Sequence, residues 1–432
     1  MNDNLSRRSV LRLAASTTAL GALGAACGTG NRPARRLHLL IDTSPAGKAL
    51  QTAIAKYNAG RPPVKATFDS VPFASLQQKT LLNFVSGTNQ YDVVQAGSNG
   101  ITAIANHLYP LDQRLQRDRL SLETLFGTAQ GVQWKGKSIG LPYRNATNVL
   151  AYRKDLLKDA GITVPATIQE FVDAAISLHK TRKVRFGSGV VSNEPTFSRV
   201  TISYLYLPYG VHLINADGTG PDESLRGDTA VNLLEELQRL VRSGATPNPV
   251  SWSYSDEITA WQQGWVGLSN VFAAWTDSFK DTAGRIGYAL GPGQPATARK
   301  LSGLGPYRPS YAAGAWYLAI NAKAASLEDA WRFTRFATTT PASQEAMAFE
   351  ADNQPTLLSV LDSARYGKAH AAAKVQLEVF QKVGWAEAVT VQKGVKVDEA
   401  VHSAVQGLYQ GRNAGDVARA MFEGVAKAVK DA

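Results

Sequence analysis

Apolar residues along the chain alternate between two spacings. Leu37 to Ile41 is a short apolar run of strand length, and Lys48 to Tyr57 then carries apolar residues at helical spacing until Gly60 and Pro62-Pro63 break it. The same unit follows again: Val64 to Phe68 reads as a strand, Leu76 to Phe84 as an amphipathic helix, and Tyr91-Asp92-Val93-Val94 as a strand entering a Gly/Ser/Asn turn. After Pro142 the pattern restarts with an apolar strand, Val149 to Tyr152. A helix through Phe171 to Leu178 comes next, opened by Thr167 and Glu170, whose side chains can each accept from a backbone N–H that the helix leaves free. Ala230 to Val241 closes at Gly244, placed as a C′ glycine, and Ser326 and Asp329 open Ala330 to Ala337. Glu399 to Tyr409 and Val417 to Val429 show the three-and-four spacing of docked surface helices. Strands alternating with helices predict an α/β fold of two lobes, built from βαβ units that pack right-handed into a mostly parallel sheet.

Length agrees with more than one core, since 432 residues is two to three times a usual domain. With 44% hydrophobic and 19% charged residues, most of the chain has the composition of a folded protein. The net charge of +11 is spread over a large surface rather than gathered in the stripe a nucleic-acid binder needs, so no nucleic acid is expected as partner. Cys27 is the single cysteine, which excludes an intrachain disulfide, a four-cysteine zinc site and a Cys-x-x-Cys redox pair. Its setting is informative. Arg7-Arg8 precede the small and apolar stretch Leu13 to Ala26, the signature of a twin-arginine export signal over residues 1–26. Cys27, directly after Gly24-Ala25-Ala26, resembles a lipobox cysteine, acylated to hold the protein on the outer face of the cytoplasmic membrane. Gly24 stands where that pattern prefers an aliphatic residue, and plain cleavage after Ala26, freeing the protein into the periplasm, is the alternative. Residues 27–36 then read as a flexible tether.

Catalytic signatures are scarce. Gly131 to Ser138 matches the P-loop expression, but a phosphate-cradling loop must open a helix, and Gly140 and Pro142 would break one. A hairpin turning at Lys135-Gly136 is expected instead. The six histidines never sit at metal-ligand spacing, and there is no Gly-x-Ser-x-Gly elbow. Glu235-Glu236 and Asp256-Glu257 could in principle serve glycoside hydrolysis, but helix neighbours point different ways, so solvated faces are expected. The basic run His179 to Arg185 reads as a helix end and loop. Several tryptophans, Trp252, Trp275, Trp316 and Trp385, stand in turn-rich contexts, where an indole face can stack on the C–H face of a sugar.

Lys135 to Tyr143 followed by Val149 to Ile162, then Pro165, Thr167 and Glu170-Phe171, carry a resemblance to a known family. Tyr91 to Val94 before Gly97-Ser98-Asn99, Leu108 to Asp112, Gly314 to Asn321 and Pro341-Ala-Ser-Gln344 extend it over nearly the whole chain after the leader. The sequence resembles the family 1 extracellular solute-binding proteins of ABC importers, the carbohydrate-binding group that includes maltose-binding protein. That resemblance implies a two-lobe periplasmic-binding-protein fold of type II, hinged at two or three crossovers. Lobe 1 would hold residues 37–145 and 316–354, and lobe 2 residues 146–315 and 355–432, with crossings near Ala146, Gly314 and Pro355. It implies ligand contacts at Thr43, Ser44, Ser98, Asn99, Arg144, Asn145, Trp275, Asp277, Tyr311, Trp316, Asn353 and Trp385. Ser98, Asn99 and Asn145 would hydrogen-bond the ligand, Arg144 clamp it and Trp275 stack on it. No catalysis, cofactor or metal is implied. The expected function is a monomeric receptor that hands a mono- or oligosaccharide or a polyol to an ABC permease. Three alternatives stay open at this point: a binder of a glycerophosphodiester or other phosphorylated glycerol derivative, a secreted glycoside hydrolase, and a lipoprotein that regulates or scaffolds cell-wall assembly.

Overall fold

In the computed structural model, residues 36–127, 132–215, 218–281, 283–293, 312–382 and 394–430 are described. Among them are nine strands: β1 (Arg36–Asp42), β2 (Lys65–Val71), β3 (Val93–Gly97), β4 (Val132–Trp134), β5 (Lys137–Arg153), β6 (Phe186–Ser188), β7 (Val266–Phe272), β8 (Ile286–Ala289) and β9 (Ala312–Ile320). They form one sheet in the order β2-β1-β3-β9-β5-β7-β6, with β4 and β8 also paired to β5. The expected βαβ units account for the parallel pairs of β1 with β2 and β3, and of β6 with β7. The sheet as a whole is mixed, not mostly parallel. β9 runs against β3 and β5, and β5 runs against β4, β7 and β8. The reason is local for β5, which leaves the β4 hairpin directly, with no crossover helix to restore a parallel direction. The described part of the P-loop-like run is this hairpin: Lys135 at φ 49° and Gly136 at φ 73° supply the two left-handed residues of a tight turn.

β5 spans both halves of the sheet. Its first part, Leu141 to Thr147, pairs with β9, and its last, Asn148 to Arg153, pairs with β7 and β8. The change falls where the β5–β9 register shifts, between Pro142 and Arg144 and between Asn145 and Thr147. Such irregularities bend a strand and raise its twist, which lets one continuous strand leave one half for the other.

Separate cores lie along the two halves. Leu37, Leu39, Ile41, Leu50, Trp331 and Phe333 belong to one cluster, with Leu40, Leu76, Phe84 and Val94 in another around the same strands. Leu150, Phe171, Leu178, Leu233, Leu237 and Leu268 belong to a third. The stretch expected to enter the second lobe at Pro355 packs against both halves: Leu357, Val360, Leu361, Tyr366 and Phe380 join the core of Leu37 and Trp331, while Ala372 joins a cluster with Val149, Ala151 and Trp261, and Val379 one with Val200. The helices Gly394–Tyr409 and Ala414–Lys430 contribute Val401, Val405, Val417 and Met421 to the core of Leu150. Apolar side chains at 357, 360 and 361 fill the space beside Phe126, a long-range complement that carries no local spacing signal.

Helix termini follow the residues that open and close them. Thr167 and Glu170 form the capping box of the helix Ile168–Lys180, Ser326 accepts from the Asp329 N–H at the start of Leu327–Thr339, and Gly244 lies at φ 72° beyond Asp228–Arg242. Among the described residues no helix is long and apolar enough to cross a membrane.

Candidate ligand cleft

The strand that joins the two halves is laced to a second crossing segment. Asn353 donates from Nδ2 to the Tyr143 carbonyl at 2.9 Å and accepts from the Arg144 guanidinium at 3.1 Å. Asn145 donates from Nδ2 to the Pro355 carbonyl at 2.6 Å, and its Oδ1 accepts from the Thr147 hydroxyl at 3.0 Å. Thr356 completes the lacing with a 2.9 Å bond to the Pro142 carbonyl. Burial pulls the Arg144 pKa below the usual arginine value and drives the Tyr143 hydroxyl well up. Three residues expected to touch ligand, Arg144, Asn145 and Asn353, are therefore bonded to the crossing segments themselves.

Beside this crossing lies a cavity of about 360 Å³. Phe73, Gln77, Gln95 and Trp316 line it from the half of β1, β3 and β9, while Thr196, Arg199, Phe272, Val395, Asp398 and Glu399 line it from the half of β7. Phe73 follows Pro72 at the strand-to-helix turn after β2 and opens the helix Phe73–Val85. Its ring meets Trp316 edge-on at 5.6 Å. Gly97 lies against the indole: a Cβ there would be 3.9 Å from the Trp316 ring, an ordinary contact. Across the cavity Phe272 touches Trp275 at 5.0 Å, and Trp275 leads on to Phe197 and Tyr254, both at 6.0 Å.

Polar groups sit between these aromatic faces. Arg199, from the helix Pro195–Tyr206, pairs with Asp398 of Gly394–Tyr409 at 2.7 Å, with side chains only 6% and 3% exposed. Four residues further along that helix, His402 meets the Ser198 hydroxyl at 2.8 Å, and burial holds its pKa below the ordinary histidine value, so it is neutral at neutral pH. Gln95, 1% exposed, accepts the Asp42 N–H on Oε1 at 2.9 Å, and its Nε2 has no hydrogen-bond partner among the described residues.

The remaining expected contacts divide. Trp316 lines the cavity. Ser98 and Asn99 open the short helix Ser98–Ile101 between two lining glycines, Gly97 and Gly100, and their side chains are outside the described residues. Trp275 stands behind Phe272. Ser44 caps the helix Pro45–Ala59, accepting from the Ala46 N–H and donating to the buried Asp42 carboxylate, and the exposed Thr43 bonds through its backbone to Val71. Asp277 bonds His370 at 2.6 Å. Tyr311 and Trp385 lie outside the described residues. The hydrolase alternative looked to Asp256 and Glu257: Asp256 caps its own helix, and the buried Glu257 accepts the indole N–H groups of Trp252 and Trp261 at 2.7 and 3.0 Å. Among the described residues no three His, Cys, Asp or Glu side chains gather as a metal site.

Phe73 was legible in principle, because it occupies the same kind of strand-to-helix turn as Ser44 and Ser98. Arg199 and Asp398 had no such signal. They are far apart in the chain and meet only because two helices of the second half pack together.

Comparison with known proteins bears on what this cavity is. A Brucella abortus binding protein is 25% identical over 256 residues, 57% of this chain and 60% of that protein, so the chain spans less than two thirds of the length of the relatives it matches there. An ABC transporter-binding protein of Deinococcus radiodurans is 24% identical over 68% of this chain and 70% of its own length. Among solved structures, an ABC transporter solute-binding protein of Agrobacterium radiobacter in complex with ribitol superposes with a TM-score of 0.75 at 21% identity, over 91% of this chain and 98% of that one. The maltose-bound MalE3 of T. maritima gives a TM-score of 0.73 at 19% identity, over 92% and 99%. These likenesses establish the two-lobe α/β fold. The family model described as bacterial extracellular solute-binding protein matches residues 42–344, which takes in β2, β3, the crossing strand β5, β9 and the helix Leu327–Thr339. With that match spanning most of the chain, the protein belongs to the bacterial extracellular solute-binding protein family.

Proposed function

We propose that this protein is the receptor of an ABC importer, capturing a carbohydrate or polyol in the cavity beside β5 and delivering it to the membrane permease without any step of bond chemistry. The observation that supports this most is the make-up of the cavity: aromatic rings of Phe73, Trp316 and Phe272 enclose a few polar groups, and the lining comes from both halves of the sheet. A sugar or polyol offers C–H faces to such rings and hydroxyls to such groups, and hinge closure can then bury it between the halves. The volume falls within the usual range for small-molecule sites, about 300 to 1,000 Å³. The structural relatives include proteins in complex with ribitol and with maltose, which agrees with this class. A phosphorylated glycerol ligand needs a cation facing it. Arg144 does not line the cavity and Arg199 is paired with the Asp398 carboxylate, so the lining favours a ligand without phosphate.

We assign one lobe to residues 36–146 and 312–361, and the other to 147–293 and 394–430, with 364–382 packed against both, following which core each segment packs into. Cavity contacts are assigned to Phe73, Gln77, Gln95, Trp316, Thr196, Phe272 and Glu399, with Ser98 and Asn99 at the same turn and Trp275 supporting Phe272. The protein acts as a monomer.

Thermal melting of the purified protein against sugars, polyols and glycerophosphodiesters tests the ligand class. At 100 times its dissociation constant a ligand that binds only the folded state adds about 2.7 kcal/mol. A shift confined to sugars or polyols is expected. Response to glycerophosphodiesters alone, or to none of the panel by a folded sample, would overturn the reading.

The receptor is held at the membrane by a lipid on Cys27, supported by the position of that single cysteine after Gly24-Ala25-Ala26. Cys27→Ser should move the protein from the membrane fraction to the soluble fraction, with the acylated N-terminal peptide lost from its mass spectrum. Membrane association unchanged in that variant would exclude the lipid.

A further inference from the structure

We infer that the ligand carries a positively charged amino group, as an amino sugar or amino polyol, and that Glu399 selects it; the inference rests on the sugar-receptor reading above. The ionisable residues lining the cavity are Arg199, Asp398 and Glu399. Arg199 and Asp398 cancel each other at 2.7 Å. Glu399, the next residue along the same helix, is exposed and has no hydrogen-bond or ion-pair partner among the described residues. Neither Arg144 nor His402 lines the cavity. Among the described residues the cavity lining is therefore left with a net negative charge, in a chain whose overall charge is +11.

That charge has a consequence for what fits. Closure removes water from the carboxylate, and burying an unpaired charge is costly. Hydroxyls of a neutral sugar compensate it in part. An ammonium group compensates it in full, through a charge-assisted hydrogen bond. The surrounding surface acts in the same sense, since Phe73, Trp316 and Phe272 line the same cavity and the face of an aromatic ring attracts a cation. Gln95 supplies the complementary requirement. The Asp42 N–H fixes its Oε1, so the unpartnered Nε2 can act only as a donor and calls for a ligand oxygen. An ammonium at Glu399 together with hydroxyls elsewhere meets both demands.

The test uses matched pairs differing by one amino group: D-glucosamine against D-glucose, and 1-amino-1-deoxy-D-sorbitol against D-sorbitol. They are titrated calorimetrically into the whole protein at about pH 6, below an ordinary amine pKa. The amine-bearing member of at least one pair should bind about tenfold tighter. In Glu399→Gln, which keeps size and exposure and should melt as the parent does, that preference should shrink to within about twofold. Equal or tighter binding of the neutral members overturns the inference, as does a preference that survives Glu399→Gln. If neutral sugars bind and Trp316→Ala weakens them, the receptor reading stands and the amino-group inference alone falls. If neither kind binds to folded protein, both fall together.

Discussion

Asp398→Ala should destabilise the folded protein by about 3 to 5 kcal/mol, because it leaves the Arg199 guanidinium charged and buried without its carboxylate. The pair joins two helices, Pro195–Tyr206 and Gly394–Tyr409, both packed into the core of Leu150, so the loss is felt where the C-terminal part of the chain docks. Arg199→Ala should cost a similar amount for the mirrored reason. Replacing both partners together, as Arg199→Met with Asp398→Leu, should recover most of the stability, since an apolar pair of similar volume carries no desolvation penalty. Chemical denaturation of the three variants measures this. Single variants within about 1 kcal/mol of the parent would mean the pair is hydrated and contributes like a surface ion pair. Because Asp398 also lines the cavity, ligand affinity is expected to fall in each variant.

Trp316→Ala should weaken binding of the best sugar or polyol ligand by about 2 kcal/mol, roughly 30-fold, as expected when an aromatic anchor at the centre of a small site is truncated. The indole is placed for this role by its neighbours: Gly97 lies against it and Phe73 meets it edge-on. Removing it takes away a stacking surface and frees the Phe73 side chain. Trp275→Ala is the control, since that ring touches Phe272 and not the cavity, and its effect should stay below about fivefold. Calorimetric titration of both variants decides between them. Equal losses would place the ligand against Trp275 as much as against Trp316, and a loss under twofold for Trp316→Ala would remove the indole from the binding surface.

Much of the architecture was readable from local patterns. The strand of Leu37 to Ile41, the capping box of Thr167 and Glu170, the C′ glycine Gly244 and the hairpin turn at Lys135-Gly136 all depend on neighbours within a few residues, and each is present. The mixed direction of the sheet was not readable, because it depends on which strands β9 inserts between, and strand spacing is the same in parallel and antiparallel pairs. The candidate site was legible only in part. The rule that ligand contacts gather at strand-to-helix turns led to Ser98 and Asn99 between the lining glycines, and it passed over Phe73. Arg144, Asn145 and Asn353 look like free polar groups in the sequence, yet each is bonded within the crossing segments.

The sequence by itself determined many of the elements, their caps and turns, and the family, since all of these reside in short-range spacing or in a run of motifs. The tertiary structure decided which side chains remain available to a ligand. Availability is set by hydrogen bonds and ion pairs between residues as distant as Arg199 and Asp398 or Arg144 and Asn353, and a buried polar group that finds such a partner is no longer open to a ligand. Glu399 and Asp398 are neighbours in the chain with opposite fates: the buried Asp398 carboxylate faces Arg199, and the exposed Glu399 carboxylate faces no partner among the described residues.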